Sequence, residues 1–132
     1  MDEKALIYQI IQCAFSVYNE LHGGLLESAY QAAFIFELKQ KNIQVEEQKE
    51  LPIWYKGVVL DKKYRLDVVV NHDIIVELKA VCELLPEHRM QLFNYLRLTH
   101  SKIGILINFS LNNGVKFEKY YYNEELNICK AF

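Results

Sequence analysis

The chain has 132 residues, of which 52% are hydrophobic and 24% charged, with a formal net charge of −2. That apolar content is enough for a packed core and argues against disorder, and the length suits one domain spanning residues 1–132. The slightly acidic balance argues against a protein that coats polyanions through a broad basic surface.

No run approaches about 18 uninterrupted apolar residues, so no transmembrane span is expected. Met1-Asp2-Glu3-Lys4 is acidic and opens an amphipathic pattern, so no signal peptide is expected. Cys13, Cys82 and Cys129 are odd in number and far apart. They fit a reducing cytoplasm and read as core thiols, not as a disulfide framework or a zinc site.

The first element is a helix over residues 3–21. Leu6, Ile7, Ile10, Ile11, Ala14, Phe15, Tyr18 and Leu21 follow a 3.6-residue period. Asp2 is suited to its N-cap, and Gly23 to a left-handed C-cap. A second helix is expected over residues 26–41, apolar on nearly all sides from Ala29 to Phe36 and so buried. Residues 43–55 are strand-like, with Pro52 marking an edge or bulge. Lys56-Gly57 turns the chain into a strand over residues 58–60, which Asp61-Lys62-Lys63 is expected to interrupt.

Two further strands follow, Tyr64 to Val70 and Ile74 to Ala80, joined by Asn71-His72-Asp73. Pro86 opens a helix to about residue 99, and proline suits the first helical position. Strands over residues 103–109 and 115–122 flank the turn Asn112-Asn113-Gly114. The order α-α-β-β-β-α-β-β is an α+β reading.

The strands at 64–70 and 74–80 carry the chemistry. Asp67, Glu77 and Lys79 interrupt apolar runs, and Glu77 and Lys79 share a face because side chains alternate along a strand. Charges on a buried sheet are costly unless they bind something, and a divalent metal ion is the candidate. A three-residue loop pairs Val70 with Ile74, which sets Asp67 opposite Glu77 and Arg65 opposite Lys79. Opposed Cβ atoms lie about 4.5–5.5 Å apart, close enough for two carboxylates to share one cation. A one-residue slip would put them on opposite faces, so an odd-length loop or a bulge is expected. The other face, Tyr64, Leu66, Val68, Val70, Ile74, Val76, Leu78 and Ala80, is apolar and should pack on a helix. One face would then be core and the other would carry the chemistry.

Asp67 followed by Glu77-Leu78-Lys79 resembles the PD-(D/E)xK nuclease superfamily. Gly24-Leu25-Leu26-Glu27-Ser28-Ala29-Tyr30 is similar to the signature of the small bacterial GxxExxY proteins assigned to it. Gln91-Leu92-Phe93-Asn94-Tyr95 is similar to the QxxxY helix motif of RecB-type and lambda-type exonucleases. The motifs stand in the family order from about Ala14 to Tyr121. The departure is that no proline precedes Asp67.

The resemblance implies a restriction-endonuclease-like mixed sheet with an αβββαβ core and an added N-terminal helix. It implies a metal site formed by Asp67, Glu77, Glu27 and the Leu78 carbonyl. Mg²⁺, with Mn²⁺ as substitute, suits such oxygen ligands. Lys79 would orient or deprotonate the attacking water, or stabilise charge on the phosphate. Gln91 and Tyr95, at i and i+4 on one helix face, would wall the site, with Gln91 supporting Lys79 or a phosphate.

Each residue has a plainer reading. Glu27 is also a carboxylate favoured at a helix N-terminus, and Tyr30 a core tyrosine with a bonded hydroxyl. Asp67 and Glu77 could form a salt-bridged cluster with Arg65 and Lys79. His22, His72, His88 and His100 show no paired ligand spacing. The reading adopted is a metal-dependent nuclease acting on DNA or RNA, with Arg65, Arg89, Arg97 and Lys102 near the nucleic-acid backbone. The alternative is a catalytically silent nucleic-acid- or protein-binding module on the same fold, with its charges closed into salt bridges. A homodimer using residues 115–122, which end in Tyr120-Tyr121-Tyr122, is a third reading.

Overall fold

A computed structural model describes residues 1–132. Its elements are α1 (Glu3–Leu21), α2 (Glu27–Gln40), β1 (Val45–Tyr55), β2 (Val58–Val70), β3 (Ile74–Lys79), α3 (Pro86–Thr99), β4 (Ile103–Phe109), β5 (Val115–Asn123) and β6 (Ile128–Ala131). The six strands form one sheet in chain order, β1 to β6. Every neighbouring pair is antiparallel except β3 and β4, which run parallel and are joined by α3. A parallel pair needs such a crossover, because a tight turn cannot return the chain in the same direction.

Helix α1 forms where the apolar period predicts it. Asp2 caps it by accepting the Ala5 N–H at 2.7 Å. Its apolar stripe, including the fully buried Ile10 and Ala14, joins Tyr30, Phe34 and Leu38 of α2 against Val68, Val70, Val76, Leu78, Ile105 and Ile107 of the sheet. Truncating a side chain such as Ile10 to alanine there costs about 2–5 kcal/mol. Helix α2 buries Tyr30, Gln31, Phe34, Ile35 and Leu38 but leaves Phe36 exposed, so it is covered on one side and not all round.

The break after α1 differs from expectation. His22, not Gly23, takes the left-handed backbone at the helix end, and Gly24 follows with φ 97°. Gly23 is required for space: a Cβ there would lie 1.9 Å from the Leu111 carbonyl oxygen.

The opposite sheet face is also core. Leu92, Tyr95 and Leu96 of α3 pack on Leu66, Val69, Ile75 and Leu106, with Tyr120 and Tyr122 beside them. Gly104 lets α3 lie close, since a Cβ would come within 2.9 Å of both Leu92 and Leu96. The division into one core face and one chemical face is therefore corrected: both faces are packed, and the charged residues sit at the end of the α3 layer. Tyr64 and Leu66 change sides as well. Leu66 packs with α3, and Tyr64 lies against Tyr95, whereas Val68 and Val70 face α1 and α2. The alternation of β2 slips by one between Leu66 and Val69, at Asp67.

The hairpin register follows the sequence. Val70 pairs with Ile74 across the loop Asn71–Asp73, and the regular ladder continues to Val68 and Val76. Arg65 does not reach Lys79; it pairs with Glu50 of β1. Residues 61–63 do not interrupt β2, which is continuous. The β1–β2 register shifts between Pro52 and Trp54, next to the proline. Strand β6 is an addition to the expected order. It covers the edge of β5, whose Tyr120 and Tyr122 point into the core.

Candidate active site

The site begins where the β2–β3 ladder ends. Beyond Val68 and Val76, side chains take over from backbone pairing. The Asp67 N–H donates to Glu77 Oε1 at 3.1 Å, and the Leu78 N–H donates to Asp67 Oδ2 at 2.9 Å. Each carboxylate thus binds the other's strand, which fixes the two groups face to face. Glu77 is 2% exposed and Asp67 half-buried. Burial is the largest cause that pushes the Glu77 pKa well above the ordinary carboxylate value; the Asp67 charge and a hydrogen bond to its carboxylate add to it.

Neither carboxylate forms an ion pair; the five pairs within 4.0 Å lie elsewhere. The closed salt-bridge cluster with Arg65 and Lys79 is therefore not formed. Lys79 instead donates from Nζ to Gln91 Oε1 at 2.7 Å. Gln91 Nε2 donates to the Tyr95 hydroxyl at 3.1 Å. Pro86 opens α3 so that Gln91 and Tyr95, one turn apart, face the end of β3. Tyr95 is nearly buried, tilted against Tyr64 with ring centroids 5.6 Å apart. A cleft of about 310 Å³, lined by Tyr64, Glu87, Met90, Gln91, Asn94 and Tyr95, opens beside this chain of hydrogen bonds. A more apolar groove of about 580 Å³ lies between α1, β5 and Phe132, away from these residues.

Glu27 is the first residue of α2 and feels the site from the other side. Burial chiefly raises its pKa, the Asp67 charge raises it further, and Lys79 lowers it. It does not join Asp67 and Glu77 in a tight cluster, since no three Asp, Glu, His or Cys side chains are grouped closely enough to hold an ion. Tyr30 acts within the fold: its hydroxyl donates to the His22 carbonyl at 2.6 Å, accepts the Leu25 N–H at 3.1 Å, and its ring stacks on Phe109 at 4.7 Å. It therefore ties down the turn that delivers Glu27.

Other side chains do structural work. His88 Nδ1 accepts the Leu85 N–H at 3.0 Å and steadies the start of α3. Arg89, expected near a nucleic-acid backbone, is instead committed to Glu118 through two bonds of 2.7 Å. Asn108 was missed from sequence. It is fully buried on β4, beside Lys79, and its amide both accepts the Val81 N–H and donates to the Val81 carbonyl at 2.9 Å. The signal was available, because a lone amide closing the apolar run Ile103–Ile107 is costly unless bonded. Gln31 and Gln48 were also missed: Gln48 Nε2 donates to Gln31 Oε1 at 3.0 Å, from a left-handed residue (φ 48°) across from Asp67. Nothing in the polar stretch around Gln48 marks it.

Comparison with known proteins supplies the class. The sequence profile of the PD-(D/E)XK nuclease superfamily matches residues 4–119, so the chain belongs to that superfamily. Its sheet and flanking helices form the restriction-endonuclease-like fold. Among solved structures, the chain is similar to the one titled "Crystal structure of SSO0001", with a TM-score of 0.56 and 22% identity. The match covers 76% of this chain and 52% of that one, so this chain spans about half its length, and the likeness is one of fold. No curated protein matches. No helix is long and apolar enough to cross a membrane.

Nucleases of this superfamily generally use divalent metals. The residues present suit one. Two opposed carboxylates, one of them buried and neither paired with a cation, are hard oxygen donors lacking a neutralising charge.

Proposed function

We propose that this chain is a metal-dependent nuclease of the GxxExxY type, a single domain over residues 1–132, hydrolysing phosphodiester bonds of DNA or RNA. One observation carries the reading: Asp67 and Glu77 face each other without an ion pair, and Lys79 is held beside them by Gln91. Asp67, Glu77 and the Leu78 carbonyl would hold Mg²⁺, or Mn²⁺ in its place, with Glu27 completing the set from α2. Bound there, the ion lowers the pKa of a water and offsets charge growing on the phosphate.

The chain's own residues do the rest. Gln91 fixes the Lys79 ammonium by accepting one of its hydrogens, which leaves two for the phosphate and the attacking water. Tyr95 holds Gln91 in turn, so the lysine is positioned before substrate arrives. Burial of Glu77 beside Asp67 keeps water from screening the charges. The water oxygen forms the new bond to phosphorus. That water gives up its proton to solvent as the bond from phosphorus to the sugar oxygen breaks, and the sugar oxygen leaves with the electron pair and takes a proton from solvent.

The test is cleavage of labelled single- and double-stranded DNA and RNA with Mg²⁺, Mn²⁺ or EDTA, with wild type beside Lys79→Ala. Cleavage that needs metal and is lost in the folded variant is expected. A folded wild type that cuts none of these substrates overturns the reading.

A further inference from the structure

The β1–β2 hairpin outruns the rest of the sheet. From Glu50 to Arg65 no residue is buried, while the same strands are packed nearer Val70. The left-handed pair Lys56-Gly57 (φ 50° and 78°) closes the tip and keeps the strands paired out to Tyr55 and Val58. The arm is thus a paired ribbon, irregular once between Pro52 and Trp54, that projects without a partner beyond Leu51 and Tyr64.

Its charge is opposite to that of the body. Residues 50–65 carry Lys56, Lys62, Lys63 and Arg65 against Glu50 and Asp61, a net +2 in a chain of −2. Lys63 is paired with Glu50 at 3.0 Å, and the other three cations have no carboxylate partner.

The two faces of the arm differ. Tyr64 lies against Tyr95 in the cleft beside Gln91, and its cross-strand partner is Leu51. Alternation along β1 carries that face from Leu51 through Ile53 to Tyr55, which pairs with Val58, while β2 is irregular over residues 60–62, between the Pro52–Lys63 and Trp54–Val59 pairs. The strip holds aromatic and aliphatic side chains, of which Tyr55, Val58 and Tyr64 are exposed; Leu60 and Lys62, in the irregular stretch, line a cleft with Glu50 and Asp61. Glu50 falls on the opposite face, with Trp54. Lys56 Nζ stands 5.4 Å from the Tyr55 ring centroid, so a cation flanks the far end. From Tyr64 to Val58, opposite Leu51 and Tyr55, the strip runs about 13 Å.

We propose that this face of the arm guides a single strand of nucleic acid into or out of the site, a reading that rests on the proposed nuclease activity and names its substrate as single-stranded. Unpaired bases stack on Tyr64 and Tyr55 and lie over Val58, while Lys56 contacts a phosphate. Aromatic rings with interspersed cations are the chemistry that single strands need, because every base has a face to stack and every linkage a charge. A duplex hides its base faces, and the strip offers too few cations to hold it by phosphates alone.

The test uses the full chain in EDTA, so that binding is read without cleavage. Fluorescence anisotropy follows a labelled 20-mer DNA strand, the same sequence as RNA, and its duplex. Wild type should prefer a single strand, and the DNA and RNA arms show which. Tyr55→Ala and Lys56→Gln should each weaken binding about 10-fold. Lys56→Gln should also lower the slope of log K against log salt by about 0.7. Trp54→Ala, on the other face, should leave affinity unchanged.

Duplex bound as tightly as single strand overturns the proposal, as does equal affinity in all variants. Loss in Trp54→Ala matching that in Tyr55→Ala overturns the face assignment on which it stands. A wild type that sediments as a dimer and is split by Tyr55→Ala makes the arm a subunit clasp and overturns it too. Variant-independent binding with intact cleavage sinks the arm alone. The expected binding pattern with no cleavage under any metal sinks the nuclease reading and leaves the arm standing.

Discussion

Glu77 and Glu118 are both strand glutamates in the layer under α3, and the chain treats them in opposite ways. Glu118 on β5 takes both arms of the Arg89 guanidinium from α3 and a hydroxyl from Tyr120. Its pKa is lowered, chiefly by the hydrogen bonds from Arg89. Glu77 is more deeply buried, faces another carboxylate, and is raised, chiefly by burial. The first charge is neutralised from within the chain and ties helix to sheet. The second is left for something from outside. The contrast separates a carboxylate that serves stability from one that, on the proposed reading, serves chemistry, although both lie on the same sheet.

That contrast can be broken experimentally. The largest effect is expected for Lys79→Ala, which should lose about 10²–10⁴-fold in cleavage while its melting temperature stays close to wild type. Unchanged activity would remove the chemical half of the comparison.

Next is Glu77→Gln. A raised folded pKa means that the stability linked to Glu77 is full below the ordinary carboxylate value and is lost as pH rises through the folded value. The neutral variant should therefore melt above metal-free wild type at pH 7–8, by on the order of 5 °C, with the gap closing in acid. Mg²⁺ should raise the melting temperature of wild type and not of the variant. A variant less stable than wild type at neutral pH would show that Glu77 is already compensated.

Arg89→Met tests the other glutamate. It should cost about 1–2 kcal/mol, since the pair is bidentate yet partly exposed. The lowered pKa of Glu118 reverses the sign: its contribution is present above the ordinary carboxylate value and is lost as pH falls through the folded value. The two melting curves should therefore converge in acid, with cleavage unaffected throughout. Tyr95→Phe is the smallest change. It removes the hydroxyl that receives Gln91 and should lower kcat about 2–10-fold with little change in KM. A larger loss would place the hydroxyl itself on the substrate.

Much of this was legible because it is local. The α1 stripe and its Asp2 cap follow from helical period and capping chemistry. The register of Val70 with Ile74 follows from a three-residue loop and a β-branched pattern. From that register, the opposition of Asp67 and Glu77 is arithmetic. What was not legible depends on distant partners. Tyr64 and Leu66 turn to the α3 face because Tyr95 and Leu92 are there to cover them, and no period within β2 records that slip. Gly23 is demanded by the Leu111 carbonyl, far along the chain. Strand β6 is four residues of mixed character, Ile128-Cys129-Lys130-Ala131, without alternation, and exists because β5 offers it an edge. Arg89 looked available because the sequence does not say that Glu118 stands opposite.

The parallel junction between β3 and β4 has a kinetic consequence. Strands β1 to β3 zip from two short turns, and β4 to β6 from two more, so each half has neighbours close in sequence. The halves meet only when α3 has crossed the sheet, a longer closure that local turns cannot speed. Asp67, Glu77 and Lys79 belong to the first half, whereas Asn108 comes from the second and Gln91 from the connection itself. A chain caught midway carries the acidic pair on a formed hairpin but has no clamp on Val81 and no brace on Lys79. On the proposed reading, competence to cut therefore arrives with the last docking event, not with the strands that bear the charges.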